Sequence, residues 1–479
     1  MFHKIVNCFL FLTLLCSPAL ISAQCTEATL IKDINDGPNS SRELFNTTFG
    51  SGSGSEFVEI NGRLFFNADD GIHGNELWVT DGTNMGTALF LDISSGAKGS
   101  FPQNLTKFEG KLYFGAGGDL WLSDGTIGGT SSVSSVSNPG GFTEAGGKLF
   151  FRANGSELWM TDGTAMGTIL VSSLSSSISN LTEVAGKLFF AVGGELWMSD
   201  GSAAGTTLVK VVTTNSIIEH LTEFEGKVYF SILALPGRGL WVSDGTEMGT
   251  TIMKEDLLFD APNGVSDIKF TEFDSRLFFV AFDGTTGDRE LWATDGTTNG
   301  TIKIKDFNSG PLGSTLTNLT KFDGQLFFRA NDGTNGFQLW VTDGTEGGTT
   351  LFKDIDPVAI LSSEKSLGAE HVGRLFFPAS DGTNGTELWA TDGTAQGTVL
   401  ISDINTVAGE SSSPFSLTEF SGQLIFTADG GTSGRELWTL ECEDPNAIPT
   451  MGQWALWILM LSLSSMAIVT IYNRKRQTI

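Results

Sequence analysis

The sequence predicts an all-β chain: a single β-propeller of about nine four-stranded blades, with one C-terminal transmembrane helix added. Three observations lead there. A block reading E-L-W-x-T/S-D-G-T-x-x-G-T, first met at residues 76–87, returns along most of the chain. Its tryptophans are Trp78, Trp121, Trp159, Trp197, Trp241, Trp292, Trp340, Trp389 and Trp438. The gaps between them, 43, 38, 38, 44, 51, 48, 49 and 49 residues, fit one supersecondary unit per repeat rather than independent domains. Each unit also divides into four short strand-like runs joined by Gly-containing turns, and four sequential antiparallel strands make one blade.

Composition agrees. The 479 residues hold 36 Phe and 11 Trp against only 3 Tyr, ample for a buried core, and 60 Gly serve many tight turns. A formal charge of -27 argues against nucleic acid as partner, because phosphate neutralisation needs clustered Lys and Arg. Acidity of this degree implies solubility, or cations at the surface.

Taken in order, residues 1–23 read as a secretory signal peptide. Lys4 precedes a mostly apolar run at 5–15, and small residues follow around Ser22 and Ala23. Leu15 before Cys16 and Gln24 before Cys25 argue against lipidation, which wants a small residue there.

The propeller is expected over 25–442. One late unit displays the pattern: runs at 318–322, 325–330, 338–342 and 349–355, separated by turns at 323–324, 331–336 and 343–348. The second run is Leu-Phe-Phe at 64–66, 149–151, 188–190, 277–279 and 375–377. Consecutive apolar residues without alternation describe a strand covered on both faces, as stacked blades require. Tyr113 and Tyr229 occupy the same place and are expected in the core.

The ends of this region complement one another. Residues 29–34 (T-L-I-K-D-I) match a fourth strand such as 350–355, but nothing strand-like precedes them; the last unit supplies 416–420, 423–428 and 436–440 and lacks a fourth strand. The N-terminal strand is therefore expected to complete the C-terminal blade, closing the ring and hiding two sheet edges. Aligned on the repeats, Cys25 and Cys442 both fall in the hairpin turn that this composite blade alone lacks, so a Cys25–Cys442 disulfide is predicted to replace it. Chain entropy assigns such a long loop roughly 5 kcal/mol.

Residues 443–453 read as a linker carrying a short motif, Ile448-Pro449-Thr450-Met451-x-x-Trp454. An apolar segment at 454–472 is long enough to cross a bilayer, and Arg474, Lys475 and Arg476 in the tail at 473–479 predict that the acidic region lies outside.

Motif, apolar span and basic tail in this order resemble the bacterial IPTL-CTERM sorting signal, with Met451 in place of its Leu. The resemblance covers about the last 30 residues and implies a membrane sorting machinery as partner, with removal of the tail; a permanent single-span anchor is the alternative. The repeat itself resembles the bacterial ELWxxDGT repeat family over roughly residues 29–440. That family implies a secreted or surface location and brings no biochemical activity with it.

The repeated Asp-Gly is turn chemistry. Asp81, Asp124, Asp162, Asp200, Asp244, Asp295, Asp343 and Asp392 are each placed to accept hydrogen bonds from following backbone N–H groups, with Gly at the positive-φ position. A second acidic turn, between the second and third strands, contains Asp69, Asp70, Asp283, Asp332, Asp381 and Asp429. Calcium is a possible ligand there, but no unit has the D-x-D-x-D-G spacing of a dedicated loop, so turn formation is the first expectation and no other cofactor is implied. The four histidines are scattered and no nucleophile motif recurs. Glu223, Asp260, Asp267 and Arg276 lie in less regular units and are the candidates for a site at the central channel. The N-x-S/T matches, such as Asn104 and Asn180, are expected in turns and loops.

Two functions follow as expectations. One is a non-enzymatic surface scaffold for adhesion or for binding an extracellular glycan or protein. The other is a polysaccharide hydrolase or lyase acting at the channel, which would bring unlike charged residues together there.

Overall fold

The computed structural model describes residues 25–35 and 57–443, apart from 135, 215, 234–236, 260–269, 284–288, 308–313, 315, 335 and 356–367. It separates into Glu27–Glu441 and a second unit made of the two terminal regions, Met1–Thr26 and Cys442–Ile479.

Among the described residues of Glu27–Glu441, nine antiparallel sheets follow one another along the chain. We number these blades 1 to 9, at 58–91, 103–134, 140–173, 178–211, 218–255, 257–305, 317–353, 369–402, and 415–441 with 29–32. Strands pair in sequential order in seven of the nine, blades 6 and 9 excepted, as short Gly-containing turns dictate. First strands of successive blades lie against one another, for example Gly140–Ala145 against Ile178–Val184, so they form the inner wall. Fourth strands form the outer edge, where Leu30, Ile169, Leu208 and Ile302 are exposed.

The core lies between blades. Leu64, Phe65 and Phe66 are buried together, Phe66 with one set of neighbours and Phe65 with another. One apolar cluster joins Phe65 and Leu77 of blade 1 to Leu112 and Phe114 of blade 2, and equivalent clusters recur along the ring. Tyr113 and Tyr229 belong to this core. The ring closes where Ile31, Phe420, Ile425 and Leu437 of blade 9 pack with Leu64, Phe66 and Trp78 of blade 1.

Blade 9 is composite, as the matching chain ends predict. Thr29 pairs with Thr439, Leu30 with Trp438 and Lys32 with Leu437. The Ile34 N–H donates to Glu436 Oε2 at 2.8 Å, and Asn84 Nδ2 of blade 1 donates to the Ile31 carbonyl at 2.7 Å. In the terminal unit Cys25 and Cys442 are disulfide-bonded across 417 residues of chain. Cys442 directly follows the third strand of blade 9, and Cys25 lies four residues ahead of Thr29.

Two expectations need correction. The N-L-T segments are not turns: Asn104 and Asn180 stand inside first strands, at positive φ (55° and 52°), where the pairing register shifts. Asn180 Nδ2 then reaches the Ile218 carbonyl of the next blade at 3.2 Å, so the irregularity links inner strands. Blade 6 has five strands rather than four: Leu257–Leu258 and Thr271–Phe273 both pair with Arg276–Asp283. The 51-residue gap between Trp241 and Trp292 is the trace of this insertion.

No helix among the described residues is long and apolar enough to cross a membrane. The expected signal peptide at 1–23, the motif at 448–454, the span at 454–472 and the tail at 473–479 all lie outside the described residues.

Candidate functional site

The repeated hairpin is a closed hydrogen-bond unit. Asp81 Oδ1 accepts from Thr83 N at 2.9 Å and from Thr83 Oγ1 at 2.7 Å, while Thr83 Oγ1 accepts from Gly86 N at 3.0 Å. Thr87 Oγ1 donates to the Thr83 carbonyl and shares a 2.7 Å bond with Thr80 Oγ1, which accepts from Gly82 N. Asp124, Asp162, Asp200, Asp244, Asp295, Asp343 and Asp392 repeat the first contact. Hydroxyl and backbone donors of Thr83 hold the Asp81 carboxyl below its ordinary pKa, and their counterparts do the same at Asp124, Asp162, Asp244, Asp295 and Asp343. At Asp200 the backbone N–H of Ser202 leads and its hydroxyl follows.

The two glycines of the motif answer different needs. Gly82 has φ 89°, so it supplies the left-handed turn. Gly86 is there for space: a Cβ would fall 2.0 Å from Asp81 Oδ1. We expect Gly86→Ala to destabilise by about 2–3 kcal/mol through overcrowding, and Asp81→Ala by about 1 kcal/mol through lost turn bonds. The double variant should fall short of their sum by at least about 1 kcal/mol, because the clash needs both partners. Urea unfolding of the four proteins checks this, and strict additivity would contradict it.

The preceding blade grips this hairpin from its second and fourth strands. Arg63 donates to the Gly125 carbonyl, Lys148 to that of Asp200 at 2.9 Å, and Arg276 to that of Gly344 at 2.7 Å. From fourth strands, Lys32 donates to the Thr87 carbonyl at 2.8 Å, Lys210 to Thr250 at 2.7 Å and Lys305 to Thr349 at 2.7 Å. Arg276, an expected channel candidate, is thus a link between blades 6 and 7, with its guanidinium 5.1 Å from the centre of the Phe278 ring.

The inner strands repeat one exposed position just before their first turn: Glu59, Lys107, Glu144, Glu183, Glu223, Glu272, Lys321, Glu370 and Glu419. Several of these carboxylates accept from the turn that follows, Glu59 from Gly62 N at 2.8 Å and Glu223 from Gly226 N at 2.9 Å. Glu223 is therefore one copy of a periodic feature. Asp260 and Asp267 lie outside the described residues.

At the opposite end of the strands, the second acidic turns satisfy their carboxylates locally. Asp69 accepts from Gly71 N, Asp332 from Thr334 N and Asp429 from Gly431 N, each at 2.8 or 2.9 Å. Asp70 takes Ile72 N, His73 N and His73 Nδ1; Asp381 takes Thr383 N, Asn384 N and Asn384 Nδ2. Asp283 pairs through its backbone with Leu257. Among the described residues no group of three or more His, Cys, Asp or Glu side chains gathers as a metal centre would require. His220 bonds Ser231 Oγ at 2.8 Å, and His371 is buried against Phe376.

Sequence reasoning missed the first letter of E-L-W. Glu76, Glu290, Glu387 and Glu436 are fully buried and anchor backbone that leaves the fourth strand. Glu76 accepts from Ile93 N, Ser94 N and Ser100 Oγ; Glu387 accepts from Ile404 N, Ser412 N and Ser412 Oγ; Glu290 accepts from Phe307 N. In blade 7 Gln338 Oε1 does the same for Ile355 N at 2.8 Å. In blades 3 and 4, Glu157 and Glu195 instead hold the indole N–H of Trp159 and Trp197 at 2.9 Å.

Comparison with known proteins adds one sequence motif. Residues 446–476 match the IPTL-CTERM motif, which contains the predicted Ile448, Pro449, Thr450 and Trp454. No curated protein matches the chain. Among solved structures it is similar to the computationally designed Ika8 protein, at 15% identity over 71% of this chain and 96% of that one, TM-score 0.42. It is also similar to BamB from Moraxella catarrhalis, at 11% identity over 88% of this chain and 99% of that one, TM-score 0.39. An oligogalacturonate lyase in complex with manganese is similar at 12% identity over 82% of this chain and 98% of that one, TM-score 0.36. A propeller with a C-terminal sorting motif is consistent with a secreted or surface-displayed protein.

Proposed function

We propose that this is a non-enzymatic scaffold, exported through the signal at 1–23, held by the span at 454–472 until sorting, and binding an extracellular glycan or protein through its loops. The E-L-W-x-T/S-D-G-T repeats resemble those of ELWxxDGT surface proteins, which supports the same location. One observation carries the non-enzymatic part. The inner strands repeat one exposed position around the ring, Glu in seven blades and Lys in two, whereas a propeller active site needs a local, non-repeating set of residues converging on one reacting bond. Calcium at the second acidic turns is kept as a possible structural ligand, testable by a calcium-dependent rise in Tm.

The test is a polysaccharide and glycoprotein panel offered to the full exported chain, with captured material and released products both measured by mass spectrometry. Capture without product formation is the expected result. Progressive depolymerisation of any captured polysaccharide would establish the hydrolase or lyase alternative.

A further inference from the structure

One cavity, of about 270 Å³, opens at blade 2, between the segments that join it to blades 1 and 3. Phe101, Gln103, Gly115, the Gly117-Gly118 turn, Asn138 and Pro139 line it. No lining side chain carries a charge.

Phe101 is the unusual residue. It has φ 52°, a left-handed conformation unfavourable for a bulky side chain, yet 53% of it is exposed and its ring meets no other aromatic ring among the described residues. The backbone there belongs to the repeat: Phe101 N donates to the Asn75 carbonyl at 3.0 Å, as Ser413 N does to that of Thr386. Ser413, at φ 43° and likewise before a proline, fills the same role between blades 8 and 9. The fold therefore accepts serine at this point, and the aromatic ring needs another explanation.

The surrounding chemistry is equally local. Gly115 stands where every other blade carries a side chain, such as Asn67 in blade 1 and Arg152 in blade 3. A Cβ there would meet the Pro139 carbonyl at 2.9 Å, so glycine lets the next loop descend as a wall. Gly117 and Gly118 face open space and leave the rim low. The carboxamides of Gln103 and Asn138 have no hydrogen-bond partner among the described residues, and neither is buried.

We propose that this cavity is a binding subsite for one ring of a neutral, pyranose-containing glycan. The inference rests on the scaffold reading above and names its ligand class. A pyranose presents one apolar C–H face and an edge of hydroxyls. Phe101 offers the flat apolar platform, and two uncommitted carboxamides offer both donors and acceptors. The lack of lining charge disfavours uronic acids and phosphorylated sugars, and it leaves no acid or base to cleave what is bound.

The experiment titrates the full exported chain with the methyl pyranosides of glucose, galactose and mannose and their short oligosaccharides, by saturation-transfer NMR and calorimetry. Wild type should bind at least one series. Phe101→Ser should weaken that binding at least about tenfold, and Gln103→Ala and Asn138→Ala should weaken it by smaller factors. Thermal unfolding of Phe101→Gly should occur no lower than in wild type, since glycine relieves the left-handed backbone, and that of Phe101→Ser should stay close to wild type, since Ser413 holds the same conformation. Sugar binding undiminished in Phe101→Ser overturns the subsite while leaving the scaffold reading intact. Capture of protein with no response to any neutral sugar overturns the ligand class alone. Turnover of a bound polysaccharide overturns the scaffold reading itself.

Discussion

Replacing both Cys25 and Cys442 by serine should lower the stability of the propeller by on the order of 5 kcal/mol, the largest single effect we expect. The disulfide closes a separation of 417 residues, so its absence returns nearly the whole chain's loop-closure entropy to the unfolded state. The loss should also be localised. The N-terminal strand Thr29–Lys32 has only four residues, and its pairing with Arg435–Glu441 is interrupted between Leu30 and Lys32. Amide exchange in Leu437 to Glu441 should therefore rise first, ahead of blades 2 to 8, because a freed third strand is an unprotected edge. Exchange that rises uniformly around the ring, or stability equal to wild type, would contradict the clasp.

The second large effect is a pH dependence of unusual sign. Burial pushes the Glu290 carboxyl up to about 7, against the Phe307 N–H and Ser314 bonds that lower it, and burial raises Glu387 in the same direction. Both groups bind a proton more tightly in the folded protein than in the unfolded chain. Stability is thus greatest below the ordinary carboxylate range and falls as pH rises from about 4.5 to 7, for Glu290 by up to about 3 kcal/mol. The hairpin aspartates act in the opposite window. Their lowered values give stability that is present above about pH 4 and lost as pH falls further. The maximum should lie near pH 4 to 5, reinforced by relief of the -27 net charge.

Glu290→Gln isolates the first component. Gln338 already performs this anchoring in blade 7, so the amide fits the site. Denaturant unfolding at pH 8 should show the variant more stable than wild type by about 1–3 kcal/mol, with the difference gone near pH 4. An unchanged slope between pH 5 and 7 in the Glu290→Gln, Glu387→Gln double variant would sink the assignment.

Much of the architecture was legible because repetition multiplies weak signals. A single L-F-F run fits a buried helix or strand, but repeated L-F-F runs and their variants in step with nine tryptophans leave one economical packing. The seam was legible for a related reason: a fourth strand without its first three, and three without a fourth, have one mutual solution. Cys442, standing where the other copies have Asp-Gly, then marked the missing turn. The same regularity concealed the exceptions. The split first strand of blade 6 registered only as a longer gap, and the positive-φ bulge at Asn104 and Asn180 looked like turn chemistry because Asn serves both.

By itself, then, the sequence determined a ring of about nine blades, its closure and the disulfide, all of which follow from local periodicity and the matching of chain ends. Only the tertiary structure decided what individual side chains do. Arg276 became a link between blades and Glu290 a buried anchor with a displaced pKa, because their partners are supplied by neighbouring blades or loops that no local pattern specifies. Phe101 became a candidate platform for the same reason. Its cavity is assembled from blade 2 and the two segments that join it to its neighbours, and its significance lies in the contrast with Ser413, more than 300 residues away.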